Sequence, residues 1–317
     1  MKYWIMEQNK EKNFVSAVVY CCNKADKIGG FIQRLDETLN ANFLKYEIVV
    51  VNDASTDDSS KRVKEYAHAV NQGEHEHTIT LLNMSFRQGL EASMNAGLNL
   101  TIGDFVFEFD SLDEDYEMSL LMKIYRHSLT GYDIVSARCD RSPKWIAGRY
   151  YHLFNRHAHL QHPIGPESFR VLSRRAINRV HSITQSIPYR KASYANCGLA
   201  VDTIKYEPTT DVKRTRYNNS WLVALETLFL YTDVPFKATM ALAIFMFVVS
   251  ASFGLYAIIF RLMKTPIEGW TTIIFFMSFG FSGLFIILAM IIRYLQTLVR
   301  LNFKKKDYLF ESIEKLQ

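Results

Sequence analysis

The sequence predicts an α/β domain on a doubly wound, mostly parallel sheet, followed by a two-helix hydrophobic hairpin that spans a membrane. Three observations lead there. Apolar runs of strand length recur through the first half, and segments with helical spacing separate them. Acidic and helix-capping residues collect directly after two of those runs. Two long, nearly uncharged runs then stand one after the other in the C-terminal third.

Phe14 to Tyr20 (FVSAVVY) is a compact apolar run and reads as a buried parallel strand. Asn23 to Asp26 form a polar turn, and Ile28 to Leu39 carry helical apolar spacing. Tyr46 to Val51 (YEIVVV) is a second buried strand and runs into Asn52-Asp53-Ala54-Ser55-Thr56-Asp57, rich in capping side chains. Ser59 to Val70 continues as a helix, Thr78 to Leu82 as a third strand, and Gln88 to Leu100 as a helix carrying Gly89 and Gly97. Phe105 to Phe109 is the fourth strand and Asp133 to Ala137 a fifth.

The fourth strand ends in an acidic turn, with Asp110, Asp113, Glu114, Asp115 and Glu117 crowded together. Carboxylates that close repel one another unless a cation relieves them, although a solvated loop also tolerates such a cluster. In open α/β sheets ligands bind at the carboxyl ends of strands, which is where this turn lies. Asp53, after the second strand, is placed to accept hydrogen bonds from a base or ribose, or simply to cap the next helix. No G-x-G-x-x-G follows the first strand and no P-loop pattern exists, so a dinucleotide or P-loop site is not expected. The two acidic turns together point to a nucleotide and a divalent cation.

Composition narrows the classes. The chain has 317 residues, enough for one large domain and an accessory part. A net charge of +5 is mild, and no nucleic-acid partner is expected. Cys21, Cys22, Cys139 and Cys197 form no CxxC pair and fit buried thiols in a reducing compartment. Met1 to Asn13 is polar and carries no secretory h-region, which puts the N-terminal part in the cytosol.

Five segments, in order, carry a more specific resemblance. Val50 to Asp57 (VVNDASTD) resembles V-[DN]-D-G-S-T-D, and Ser85 to Ala92 (SFRQGLEA) resembles S-R-N-x-G-x-E-A. Gly103-Asp104 stands before the fourth strand, Ser168 to Arg174 (SFRVLSR) resembles D-F-R-L-x-S-R, and Arg214 to Tyr217 resembles a late G-x-S-K-Y loop. The chain thus resembles the GT-A glycosyltransferases of family 2, in the polyprenyl-phosphate branch akin to dolichyl-phosphate mannose synthase. The sequence departs from that pattern at Leu112, which stands at the second Asp of the D-x-D metal motif with Asp113 as nearest substitute. It departs also at Ser168, preceded by Glu167, and at Ala54.

The resemblance implies an inverting glycosyltransferase that moves a sugar from a UDP- or GDP-sugar to polyprenyl (undecaprenyl) phosphate, for cell-envelope glycan assembly or modification. It implies Mg²⁺ or Mn²⁺ on Asp110, Asp113 and Asp115, and donor binding by Asn23, Asp53, Ser55, Asp57, Arg87, Gly89 and Asp110. Acceptor phosphate falls to Arg138, Arg170 and Arg214, and the catalytic group is Asp110, Asp113, Glu167 and Arg170. Arg170 also has a structural alternative, a pair with Glu167. A homo-oligomer is implied, with a tetramer as one form. Two alternatives stay open: a catalytically impaired GT-A scaffold or binding protein, suggested by the altered metal motif, and a transferase with another membrane acceptor.

The C-terminal third supplies the membrane part. Phe236 to Leu262 is apolar apart from Lys237 and Arg261, and as a helix reaches about 40 Å. Trp270 to Ile292 is a second uncharged run, and Met263 to Gly269 is a short connection. Arg300 and Lys304-Lys305-Lys306 follow, and the positive-inside rule puts them in the cytosol. The expected organisation is a tail at 1–13, a cytosolic domain at 14–217, a juxtamembrane amphipathic helix at 218–234, membrane helices at 235–262 and 270–299, and a basic tail at 300–317. Lys144 to His162 mixes aromatic and basic residues and suits a helix on an anionic membrane surface. Its His157, His159 and His162 lack a carboxylate companion at metal spacing. Both termini are expected in the cytosol, with the protein in the cytoplasmic membrane.

Overall fold

The computed structural model describes residues 10–70, 77–141, 145–158, 160–183, 189–209, 227–229, 231–262, 269–303 and 308–316. Two compact units emerge: residues 1–151, 160–218 and 305–317 in one, 152–159 and 219–304 in the other.

The first unit is an α/β layer structure on an eight-stranded mixed sheet. Its strands are β1 (Val15–Cys21), β2 (Tyr46–Asn52), β3 (His77–Met84), β4 (Phe105–Phe109), β5 (Ile134–Cys139), β6 (Phe169–Ser173), β7 (Val201–Tyr206) and β8 (Phe310–Lys315). Their order is β7-β5-β6-β4-β1-β2-β3-β8. The pairs β1/β2, β1/β4, β2/β3 and β5/β7 are parallel, while β3/β8, β4/β6 and β5/β6 are antiparallel. The central strands are buried on both faces, as their Val-rich runs require. Val15, Ala17 and Val19 enter one core with helix α1 (Ala25–Asn42), through Ile28, Phe31, Ile32, Leu35 and Leu39. Helices α2 (Ser59–Val70) and α4 (Ser119–Ser128) cover that same face. Val18 and Tyr20 enter the opposite core with α3 (Leu90–Leu100) and α6 (Arg174–Ile183). The sheet is therefore covered on both faces, the GT-A-like arrangement expected.

Two glycines are fixed by close approach. A Cβ on Gly97 would sit 2.5 Å from Val18 Cγ1 and 2.6 Å from Val51 Cγ2, so α3 lies directly on β1 and β2. A Cβ on Gly103 would sit 2.7 Å from the Ser16 backbone nitrogen. The Gly103-Asp104 pair thus closes β1 onto β4: Asp104 N donates to Phe14 O at 2.6 Å, and Asp104 Oδ2 accepts from Phe14 N at 3.1 Å. Arg174 Nε caps the same turn by donating to Gly103 O at 2.9 Å.

The remaining helices of this part of the chain are α5 (Trp145–His157) and the short α7 (Arg190–Ala195). Helix α5 falls on the expected aromatic and basic stretch, with Arg149 stacked over the exposed Trp145 at 5.0 Å. The stretch read from sequence as a tail at 300–317 contributes β8, which pairs antiparallel with β3.

In the second unit, α8 (Val234–Leu262) and α9 (Trp270–Phe303) have 29 and 34 residues. They pack on each other where Gly283 faces Met246 and Thr239 Oγ1 lies 2.6 Å from Met290 Sδ. The expected transmembrane hairpin falls on these helices. Among the described residues, however, no helix is long and apolar enough to cross a membrane, and side chains within both helices lie outside the description. The juxtamembrane segment at 218–234 lies largely outside it as well.

Candidate functional site

Parallel register sets the site. Cys21 aligns with Asn52 and Val19 with Phe109, so β1, β2 and β4 end on one edge of the sheet. The three following turns meet there, as ligand sites of open α/β sheets do.

The turns after β1 and β2 are sewn together. Asn23 N donates to Ser55 Oγ at 3.0 Å, and Asn23 Oδ1 accepts from Thr56 N at 2.7 Å. Asp57 accepts from Ala25 N and Ser59 N, each at 3.0 Å. Burial works against the Asp57 carboxylate, but hydrogen bonds from Ser59 and the Ala25 backbone hold it below its ordinary pKa. Asn23 and Ala54 take left-handed backbone conformations, φ 52° and 47°. Ala54 stands where the motif has glycine, the residue that adopts such φ freely.

Asp53 is fully buried and turned inward. It accepts from Tyr20 Oη at 2.7 Å, from Gln88 N at 2.7 Å and from Gly89 N at 3.0 Å. Its described partners fix the loop before α3, while Arg87 on that loop is exposed.

The third turn holds a buried ion network. Arg170, on β6, donates from Nη1 to Glu108 at 2.8 Å, from Nη2 to Asp110 at 2.8 Å and from Nε to Glu167 at 2.9 Å. The pairing of Arg170 with Glu167 that the sequence left open is thus present. Arg190, from α7, donates from Nε to Glu91 at 3.0 Å, from Nη1 to Glu108 at 2.8 Å and from Nη2 to Asp110 at 2.6 Å. Tyr194 Oη donates to Glu108 at 2.8 Å, and its ring lies under Arg170 at 5.5 Å. Burial opposes ionisation of Asp110, yet Arg190, Arg170 and Lys191 hold its carboxyl well below the usual range. The same carboxylates drive both guanidinium pKa values up against their own burial.

The other predicted carboxylates have different described partners. Asp113 is buried and accepts from Lys27 Nζ at 2.7 Å. Asp115 accepts from Tyr206 Oη at 2.5 Å, and its carbonyl accepts from Thr209 N at 3.0 Å. Ser168 Oγ bonds the same Tyr206 hydroxyl. Among the described residues no group of three or more His, Cys, Asp and Glu side chains is arranged to hold a metal ion. Each Asp110 oxygen already faces a guanidinium, so this arrangement does not fit the Mg²⁺ or Mn²⁺ set expected from Asp110, Asp113 and Asp115. Arg138 lies on β5 beside Gly165, and Arg214 and His159 fall outside the described residues.

Sequence reasoning gave no role to Glu91, Glu108, Arg190 or Tyr194. Glu108 carried a signal, because an acid between Phe107 and Phe109 in a buried strand requires a partner. Arg190 carried none.

A glycosyltransferase of Synechocystis described as uncharacterized is 25% identical over 232 residues, 70% of this chain and 71% of its own. The bactoprenol glucosyl transferase of Shigella phage SfX is 23% identical over 270 residues, 82% of this chain and 86% of its own. Among solved structures, a mannosyltransferase of Pyrobaculum calidifontis in complex with GDP-Man and Mn²⁺ superposes with a TM-score of 0.45 at 16% identity, covering 90% and 93% of the two chains. Residues 16–195 match the family described as Glycosyl transferase family 2. That match spans more than half of the chain, with the three turns and the buried ion network of the site, and the chain is a glycosyltransferase belonging to family 2.

Proposed function

We propose that this glycosyltransferase works on a membrane and transfers a sugar from a UDP- or GDP-sugar to a polyprenyl phosphate, with inversion at the anomeric carbon. One observation carries the reading. A family 2 sheet continues in the same chain into two long helices that leave large apolar side chains exposed, among them Phe245, Leu255 and Phe285 at 54%, 60% and 66%. Soluble surfaces rarely carry apolar patches of that extent, and a lipid phase accepts them. Over their full sequences these helices hold the two nearly uncharged runs. A lipid-linked acceptor gives a sugar-nucleotide site a reason to be joined to such helices. The bactoprenol glucosyl transferase similarity supports the acceptor class.

The short connection at 263–269 joins the two runs as a hairpin whose two ends lie on one side. With Lys304 to Lys306 following it, that side is the cytosol and the protein lies in the cytoplasmic membrane.

The chemistry asks little of a base. A phosphate monoester has a second pKa of about 6, so at neutral pH the acceptor arrives mostly as a dianion. Its oxygen bonds to the anomeric carbon as the bond to the diphosphate oxygen breaks, and nucleoside diphosphate leaves. The turns around Asn23, Asp53, Ser55, Asp57, Arg87 and Gly89 hold the donor. Arg138, Arg170 and Arg214 are the cations assigned to the acceptor phosphate, and the protein's task is mainly alignment. Asp110, tied between Arg170 and Arg190, fixes the geometry of the third turn.

The test is turnover of a panel of UDP- and GDP-sugars with undecaprenyl phosphate in detergent, with Mg²⁺, with Mn²⁺ and with chelator. Transfer from any donor to the lipid supports the reading. Transfer only to another membrane acceptor, or to none, overturns it.

A further inference from the structure

The C-terminal strand is bound to the turn after β2 by two separate hydrogen-bond paths. The first runs through Gln88. Its side chain clasps the Leu309 backbone, Nε2 donating to Leu309 O and Oε1 accepting from Leu309 N at 2.9 Å. The Gln88 backbone nitrogen donates to Asp53 at 2.7 Å, and Ser85 N donates to Leu309 O at 3.3 Å. The second path runs through Asn83. Its Nδ2 donates to Ser312 Oγ at 2.9 Å and to Glu314 Oε1 at 3.0 Å, and its Oδ1 accepts from Asn52 Nδ2 at 2.9 Å. Asn52 Oδ1 then accepts from Ser55 N at 3.2 Å. Lys64 on α2 adds an ion pair to Glu314 at 2.7 Å, and Asn99 on α3 bonds Tyr308 Oη at 2.6 Å.

We infer that residues 308–316 are a positioning element for donor binding, with Gln88 and Asn83 as the positioning residues. The inference rests on the donor site proposed above. Ala54 explains why such a brace is needed. The turn carries an alanine at φ 47°, a conformation it would leave if the flanking bonds let go. Gln88 and Asn52 hold Asp53 and Ser55 alongside the bonds from Tyr20, Gly89 and Asn23, and they are the two of these partners tied to the C-terminal strand. An edge strand that pins those two residues removes freedom that the nucleotide would otherwise have to freeze on binding. A strand paired only for stability would need its ladder and its side-chain contacts with Lys64. It would not need both polar paths to converge on one turn.

Three proteins test this: Gln88→Ala and Asn83→Ala in the full chain, and the chain ended after Asp307. Two readouts apply to each, backbone hydrogen exchange over residues 52–57 and the KM of the nucleotide sugar against kcat. Both point variants should speed exchange at the turn about tenfold or more and raise donor KM about five- to tenfold, with kcat within about twofold. Adding the peptide of residues 308–317 to the shortened chain should restore the protection, as strand addition in trans allows. Unchanged exchange at the turn in both point variants overturns the inference whether or not a donor is found. Faster exchange with unchanged donor KM also overturns it, because the turn would then not be the donor site's limiting part. If the unmodified chain turns over no nucleotide sugar, the proposed function fails. Exchange and peptide rescue still decide whether the strand holds the turn.

Discussion

Replacing Arg190 by methionine should cost this protein roughly 3–5 kcal/mol of stability, the range for removing one partner of a buried charge pair. The side chain is 1% exposed and reaches Glu91, Glu108 and Asp110 at 3.0, 2.8 and 2.6 Å. Four carboxylates, those of Glu91, Glu108, Asp110 and Glu167, bond to Arg170 and Arg190 among the described residues, so the loss leaves the four facing one of these two guanidiniums. Methionine fills the apolar length, which separates the electrostatic cost from a cavity cost. The loss should also depend on pH, and the sign follows from Asp110. In the unaltered chain its folded pKa is depressed. The stability it contributes is present above the unfolded value of about 3.9 and is lost only as pH falls through the lower folded value. In Arg190→Met four carboxylates face the single remaining guanidinium of Arg170, so part of their buried charge is uncompensated and ionising the network opposes folding. Stability is then present at low pH and lost as pH rises. The difference between the two chains should therefore grow from about pH 5 to about pH 8. Urea denaturation in detergent, read by pulse proteolysis, measures it. Adding Glu108→Gln to the variant should recover part of the loss. A cost under about 1 kcal/mol, a flat pH dependence, or additive single and double variants would refute the reasoning.

Three further outcomes are expected. Ala54→Gly relieves a left-handed alanine, worth about 1–2 kcal/mol, against about 0.5–1 kcal/mol of added unfolded-state freedom. The unfolding free energy from urea titration should stay or rise by up to about 1.5 kcal/mol, and a comparable loss would contradict the strained turn. Gly97→Ala should cost about 1–3 kcal/mol through overlap with Val18 and Val51, and Val51→Ala in the same chain should return part of it. In intact cells a cysteine at Glu268 should react with an impermeant thiol reagent and one at Glu311 should not; the reverse pattern would overturn the proposed topology.

The first five strands were legible because their chemistry is local. Val15–Cys21 and Tyr46–Asn52 are short, Val-rich runs buried on both faces, the pattern of central parallel strands. The sixth was hidden by its own function, since Arg170 interrupts the apolar run of Phe169–Ser173 and is neutralised only in three dimensions. Val201–Tyr206 and Phe310–Lys315 lie at the two edges of the sheet, where half-exposed faces admit polar residues and weaken the strand signal. The same division runs through the site. Asp53 and Asp110 stood out because an acid directly after a buried strand is locally unusual. Arg190 meets Asp110 across 80 residues of sequence, a distance no spacing rule spans. The pairing of Asp110 with two guanidiniums was invisible for that reason, and it changes what the acidic turn does.

That change bears on how the proposed acceptor phosphate would be received. Arg170 was assigned to it from sequence, yet each guanidinium nitrogen donates to a carboxylate and the side chain is 2% exposed. A phosphate that engages Arg170 must displace one of them. Glu108 is fully enclosed and shared with Arg190 and Tyr194, and Asp110 is shared with Arg190. Glu167, 14% exposed, holds Arg170 by a single bond from Nε and is the one that can be exchanged. Glu167→Gln removes the competing charge while keeping the shape. Acceptor KM should therefore stay or fall, and kcat should drop less than about tenfold, below the usual worth of a general base. The pH profile separates the two roles more sharply. An acceptor that ionises on its own makes kcat/KM rise through its second pKa, about 6, and that limb should survive in Glu167→Gln. Loss of the limb, together with a fall in kcat of several hundredfold and intact donor binding, would make Glu167 the base and leave Arg170 a structural partner.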